Sequence, residues 1–229
     1  CYPAQVGLAG DARVVLGQLL DTLTGQERPA DTNVSARIAD QRARALAEVR
    51  PQLMWQYVDA IERALPRDGF VANDGSRVNS WANSFLRRYQ PLTYAVTRNT
   101  AALGFSWPAA VGAKLAHPDR ASMAIMGDGG FLFTSFALAT AVQHRIGAVA
   151  VIFDDASYGT IARIQQRQYG REIGAALHNP DFVRLAEAFG AYGQHVETPA
   201  QLYEALCAAW DREGPTVIEA PLEADVGFA

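Results

Sequence analysis

Ala124-Ile125-Met126-Gly127-Asp128-Gly129-Gly130 is the stretch whose reading decides the fold. Its apolar opening reads as a buried strand that empties into a glycine-rich turn, after which Thr134 or Ser135 can cap a helix. The next apolar run, Val149-Ala150-Val151-Ile152-Phe153, ends in a second acidic element, Asp154-Asp155. From Asp128 to Asp155 is 27 positions, close to the roughly 30 residues of a βαβ unit. The two aspartates are therefore expected side by side at the tips of neighbouring parallel strands.

Working outward, candidate strands are Phe70 to Ala72, Thr93 to Val96, Ser122 to Met126, Ala148 to Phe153, Gln194 to Val196 and Thr216 to Ala220, with helical patterns between them. Phe182, Leu185, Ala186 and Phe189 recur at helical spacing and stop before Gly190, and Leu202, Leu206 and Trp210 stop before Gly214-Pro215. This alternation predicts an α/β fold: an open, mostly parallel sheet with helices on both faces. Upstream, Val14, Val15, Leu19, Leu20 and Leu23 suit a short helix beginning near Asp11 and ending at Gly25. The polar, Pro29-containing stretch that follows reads as a connector, which gives residues 1–25 as one segment, 26–35 as a linker and 36–229 as the main domain.

A glycine-rich strand end exposes backbone N–H groups to which an anionic oxygen can come close. Asp128 then needs a reason, because a carboxylate beside a phosphate is repulsive unless a cation lies between them. Mg2+ supplies it, since that ion is typically held by one or two carboxylates together with phosphate oxygens. The crevice beyond the carboxyl ends of the strands is also the usual ligand site in open α/β sheets. Two plainer readings stand beside this one: Gly-Asp-Gly is common in turns, and Asp-Asp after a strand is often a solvated loop. A nicotinamide-binding reading competes as well, but Leu132 stands where the third glycine of that fingerprint belongs.

The 229 residues carry a net charge of -4 with no long run of either sign, so neither nucleic acid nor an anionic membrane is an evident partner. Two cysteines, Cys1 and Cys207, exclude a disulfide framework and a multi-cysteine metal site and fit a reducing cytoplasm. No segment is long and apolar enough to span a bilayer. The chain opens Cys1-Tyr2-Pro3 rather than with Met, which suggests part of something longer.

With Gly127-Asp128-Gly129 and Asp154-Asp155 in this relation, the sequence resembles the thiamin-diphosphate enzymes that include acetohydroxyacid synthases, benzoylformate decarboxylase and benzaldehyde lyase. The likeness runs from Gly10-Asp11-Ala12, similar to the end of that family's central domain, to the C-terminus. It implies Asp128, Asp155 and the backbone carbonyl of Ser157 as Mg2+ ligands, with Asp154-Asp155 standing where the family usually has Asn-Asn. It also implies that Leu103, within Ala101-Ala102-Leu103-Gly104-Phe105, props the cofactor into a bent shape, with the Ala101 carbonyl accepting from the aminopyrimidine amine. Such a wedge would act by proximity. The turn Asn73-Asp74-Gly75-Ser76-Arg77 would cap the other side of the diphosphate through Gly75, Ser76 and Arg77, although an ordinary turn reads equally from those residues.

The same resemblance places Gly127, Gly129, Gly130, Tyr158, Gly159 and Thr160 against the cofactor and turns Thr160 and Ile161 toward substrate. Ile161 stands where pyruvate decarboxylases have a glutamate, and Ile164 where acetohydroxyacid synthases usually have a tryptophan. A buried helix face is the alternative for Ile164. The histidines receive no role, and a salt-bridged loop is the favoured account of Arg98 and Asn99, with an approach to substrate or cofactor as the alternative. The implied activity is decarboxylation or carboligation of a 2-oxo acid, acetolactate-synthase-like or benzoylformate-decarboxylase-like. The activating glutamate would come from a pyrimidine-binding domain of a partner subunit in a homodimer or homotetramer. A nicotinamide-dependent oxidoreductase and a non-catalytic binding subunit are the alternatives.

Overall fold

A computed structural model describes residues 3–26, 33–97 and 100–222. They divide into two compact units, residues 1–46 and 47–229. In the first, α1 (Ala12–Leu23) is capped by Asp11, whose carboxylate accepts from the N–H groups of Arg13 and Val14 at 3.0 and 3.2 Å. Helix α2 (Val34–Val49) follows and continues past Leu46. Most of the expected linker, like Arg98 and Asn99, lies outside the described residues.

The second unit is built on a sheet of six parallel strands: β1 (Phe70–Asn73), β2 (Tyr94–Val96), β3 (Ser122–Gly127), β4 (Val149–Asp154), β5 (Tyr192–His195) and β6 (Thr216–Pro221). Their spatial order is β2-β1-β3-β4-β6-β5. Period-two alternation sends successive side chains to opposite faces. Met123, Ile125, Val149, Val151 and Phe153 enter one core, whereas Ala124, Met126, Ala150 and Ile152 enter the other. Helices α3 (Leu53–Ala64), α4 (Arg77–Phe85) and α10 (Pro199–Ala209) supply the first core, with Tyr57, Trp81 and Leu206 at its centre. Helices α5 (Ser106–Ala116), α6 (Asp128–Thr134), α7 (Ala137–Gln143) and α9 (Phe182–Phe189) cover the other with Trp107, Phe131, Leu138 and Phe182. Burial on both faces is why β3 and β4 read as continuous apolar runs. The remaining helix, α8 (Gly159–Tyr169), buries only Ala162.

Two local expectations are corrected. The helix after β3 begins at Asp128 itself, with Gly127 as N-cap, instead of after a glycine loop capped by Thr134 or Ser135. The Thr134 hydroxyl, at the far end of that helix, instead donates to the Gly104 carbonyl at 3.1 Å. Strand β5 spans Tyr192–His195, beginning two residues and ending one residue earlier than the pattern predicted. It pairs on one side only, with β6, so its half-exposed residues lack the apolar signature of the central strands.

Candidate functional site

From β1 the chain crosses outward to β2 and then returns to the other side of β1 at β3, so the crossovers diverge between β1 and β3. Crevices for ligands form at such points, beyond the carboxyl ends of the strands. A cleft of about 330 Å³ opens there, within the about 300–1,000 Å³ of small-molecule sites. Gly75, Ser76 and Arg77 line it from the end of β1, and Ala101 and Leu103 from the loop before α5. Gly127, Asp128, Gly129 and Gly130 line it from the end of β3, and Asp155, Ser157, Tyr158, Gly159, Thr160 and Ile161 from the end of β4. The residues that the sequence singled out for cofactor and metal, together with Thr160 and Ile161, are therefore at one cleft. Ile164 is not; it is exposed, which also removes the buried-helix-face alternative for it.

The register of β3 on β4 pairs Gly127 with Phe153, so the next residues, Asp128 and Asp154, stand at the same level. Asp128 is 2% exposed. Its Oδ2 accepts from the Asn179 side-chain amide at 2.6 Å and from the Ser157 N–H at 3.1 Å. Burial pushes the Asp128 carboxyl up to about 6; the Asn179 and Gly129 hydrogen bonds oppose the rise, and the negative charges of Asp154 and Asp155 add to it.

Asp154 and Asp155 do different jobs. Asp154 Oδ1 accepts from the Ala156 N–H at 2.8 Å and from Asn179 at 2.7 Å, holding a turn in which Ala156 has φ 50°. That left-handed conformation is uncommon for a residue with a side chain. Asp155 turns into the cleft, where its Oδ2 meets the Arg77 guanidinium at 3.2 Å and its Oδ1 accepts from the Ser157 hydroxyl at 3.2 Å. The turn is also pinned from outside, because Tyr158 N–H donates to the Ala175 carbonyl and Leu177 N–H to the Ala156 carbonyl, each at 2.8 Å.

Two glycines are required by close approach. A Cβ on Gly129 would lie 2.5 Å from the Tyr158 ring, and one on Gly159 would lie 2.5 Å from Asp155 Oδ2. Gly75 leaves room for Leu103, whose Cδ2 would be 3.1 Å from a Cβ there.

Asp74 and Asn179 escaped the sequence reading. Asp74 is fully buried, and its carboxylate accepts from the N–H groups of Gly75 at 2.8 Å and Gly104 at 2.7 Å and from the Ser106 hydroxyl at 3.3 Å. It ties the β1 turn to the Leu103 loop across the cleft; burial raises its pKa against the pull of those hydrogen bonds. Asn179 bridges the two strand tips from a segment 51 residues beyond Asp128. Its only sequence signal was an Asn-Pro pair, which reads as a turn.

Asp128 is a buried carboxylate with like charges nearby, and Asp155 comes from the adjacent strand into the same cleft, so the donor set fits a hard divalent cation. Among the described residues, no group of three or more His, Cys, Asp or Glu side chains converges as a metal cage. Ligand oxygens would have to complete the coordination, as they do where Mg2+ is bound with phosphate.

Residues 74–220 match the family model for the thiamine pyrophosphate enzyme, C-terminal TPP binding domain. The chain is 36% identical over 143 residues to an acetolactate synthase of Bacillus subtilis, covering 62% of this chain and 25% of that protein. It is 34% identical over 225 residues to a probable 2-ketoarginine decarboxylase of Pseudomonas aeruginosa, covering 95% and 39%. A structure of a thiamine diphosphate-dependent 4-hydroxybenzoylformate decarboxylase from Rhodococcus jostii superposes with a TM-score of 0.70 at 29% identity, over 76% of this chain and 33% of that one. The chain thus spans between a quarter and two-fifths of the length of these curated relatives. No helix of the described residues is long and apolar enough to cross a membrane. The comparisons do not favour a nicotinamide-dependent enzyme. With a parallel sheet, a cleft at its switch point and a family match across both, this chain belongs to the thiamine pyrophosphate enzymes and contains their C-terminal cofactor-binding domain.

Proposed function

We propose that the chain anchors thiamin diphosphate through Mg2+ in an enzyme that decarboxylates or ligates a 2-oxo acid, with acetolactate-synthase-like or benzoylformate-decarboxylase-like chemistry. The observation that carries this reading is the carboxylate of Asp128, buried at the tip of β3 and facing the same cleft as Asp155. Such a charge is costly to leave without a cation. Asp128, Asp155 and the Ser157 carbonyl would hold the metal, and the backbone of Gly129 and Gly130, with Ser76 and Gly75, would surround the diphosphate. When bound, the cofactor supplies a nucleophilic carbon and an electron sink for the carbonyl substrate.

Leu103 sits against Gly75 and lines the cleft, where its branched side chain would brace the cofactor rings beside the Ala101 carbonyl. Thr160 and Ile161, exposed on the first turn of α8, would form the substrate-facing wall. Residues 1–25 would be the end of a central domain joined to the cofactor domain by 26–35. A pyrimidine-binding domain from a partner subunit would complete the site in a homodimer or homotetramer in the cytoplasm.

Calorimetric titration of the intact protein with thiamin diphosphate, with and without Mg2+, tests the reading. Metal-dependent binding is expected, and its absence would remove it. Binding without carbon dioxide release from any of a panel of 2-oxo acids would instead identify a non-catalytic subunit.

A further inference from the structure

Arg77 stands at the first position of α4, with Ser76 as N-cap. A cation there opposes the helix dipole. It is also buried, and both it and Asp155 have side chains only 5–6% exposed. Isolating two charges from water costs several kcal/mol each, and apolar replacements are often as stable, so a buried ion pair is poorly explained by stability alone. The pair is nonetheless carefully accommodated. A Cβ on Gly159 would lie 2.5 Å from Asp155 Oδ2 and 3.2 Å from Arg77 Cδ. Both residues line the cofactor cleft. Arg77 Nη1 lies against Asp155 Oδ2 while the Ser157 hydroxyl donates to Oδ1, so both oxygens of the Asp155 carboxylate are engaged by neighbouring side chains.

We propose that Arg77 is a resident counter-ion for Asp155 that exchanges partners on loading: Mg2+ takes over the carboxylate, and the released guanidinium takes a diphosphate oxygen. This rests on the cofactor reading above and deepens it. A guanidinium and Mg2+ repel one another across one carboxylate, whereas an incoming diphosphate offers the guanidinium planar, charge-assisted hydrogen bonds. The exchange keeps one positive partner on Asp155 at each stage. An aspartate can then serve where a neutral ligand would need no such partner.

The test uses the intact protein and two probes, Mg2+ alone and inorganic pyrophosphate at saturating Mg2+, measured by calorimetry. For Arg77→Gln, Mg2+ alone should bind about tenfold more tightly because its competitor is gone, while Mg2+-pyrophosphate should bind about tenfold more weakly. Arg77→Lys, which keeps the charge, should return both values toward wild type. Asp155→Asn gives an independent arm that leaves Arg77 in place: metal-free pyrophosphate should bind about tenfold more tightly, since the guanidinium loses the Asp155 charge as a competing partner. It keeps the test decisive if Arg77→Gln does not fold, as judged by its thermal melt. Equal weakening of both probes, or no change in either, would make the pair purely structural and overturn the exchange. If the wild-type protein binds neither probe, the cofactor reading itself fails, and the exchange with it.

Discussion

The buried carboxylate of Asp128 should make the metal-free protein less stable at neutral pH than at mildly acidic pH, and Asp128→Asn should remove that loss. The sign follows from the direction of the shift. With the folded-state carboxyl pushed up to about 6 from 3.8, the folded form holds its proton more tightly than the unfolded chain. Stability from this group is fully present below pH about 4 and is lost as pH rises through about 6. Moving a carboxyl over that interval corresponds to about 3 kcal/mol. An asparagine at 128 can keep its oxygen where Oδ2 now accepts from Asn179 and Ser157, so packing is preserved while the charge is removed. Urea unfolding at a series of pH values with chelator present measures the effect as the difference between variant and wild type, which cancels the carboxylates remote from Asp128. The variant should gain on the wild type by about 2–3 kcal/mol between pH 4 and 7. Mg2+ with thiamin diphosphate should then stabilise only the wild type. A difference that stays flat across that pH range would refute the account of Asp128 as an uncompensated charge.

Asn179→Ala should cost about 1–3 kcal/mol of stability, because it removes the donor shared by Asp128 and Asp154. It should also weaken Mg2+-dependent thiamin diphosphate binding in calorimetry, and full affinity would mean that the strand tips hold their places without it. Gly129→Ala puts a methyl 2.5 Å from the Tyr158 ring. The displaced ring should lower the melting temperature, at a cost of about 1–3 kcal/mol, and reduce cofactor affinity; an unchanged melt would show that Tyr158 moves aside freely.

The sequence alone made the central sheet legible for a physical reason. Strands buried on both faces must be apolar throughout, so β3 and β4 announced themselves and their spacing placed Asp128 beside the Asp154-Asp155 pair. An edge strand obeys no such rule, and β5 was displaced accordingly. The candidate site was legible where residue type and local spacing carry the chemistry, as in the glycines and aspartates at the ends of β3 and β4. Only the tertiary structure decided that Arg77 meets Asp155 across 78 positions, and that Asp74 and Asn179 tie the loops together. Hydrogen bonds and ion pairs of that range depend on where the folded chain delivers each partner. A buried Asp or Asn therefore looks in sequence like any turn residue until its donors and acceptors are in place.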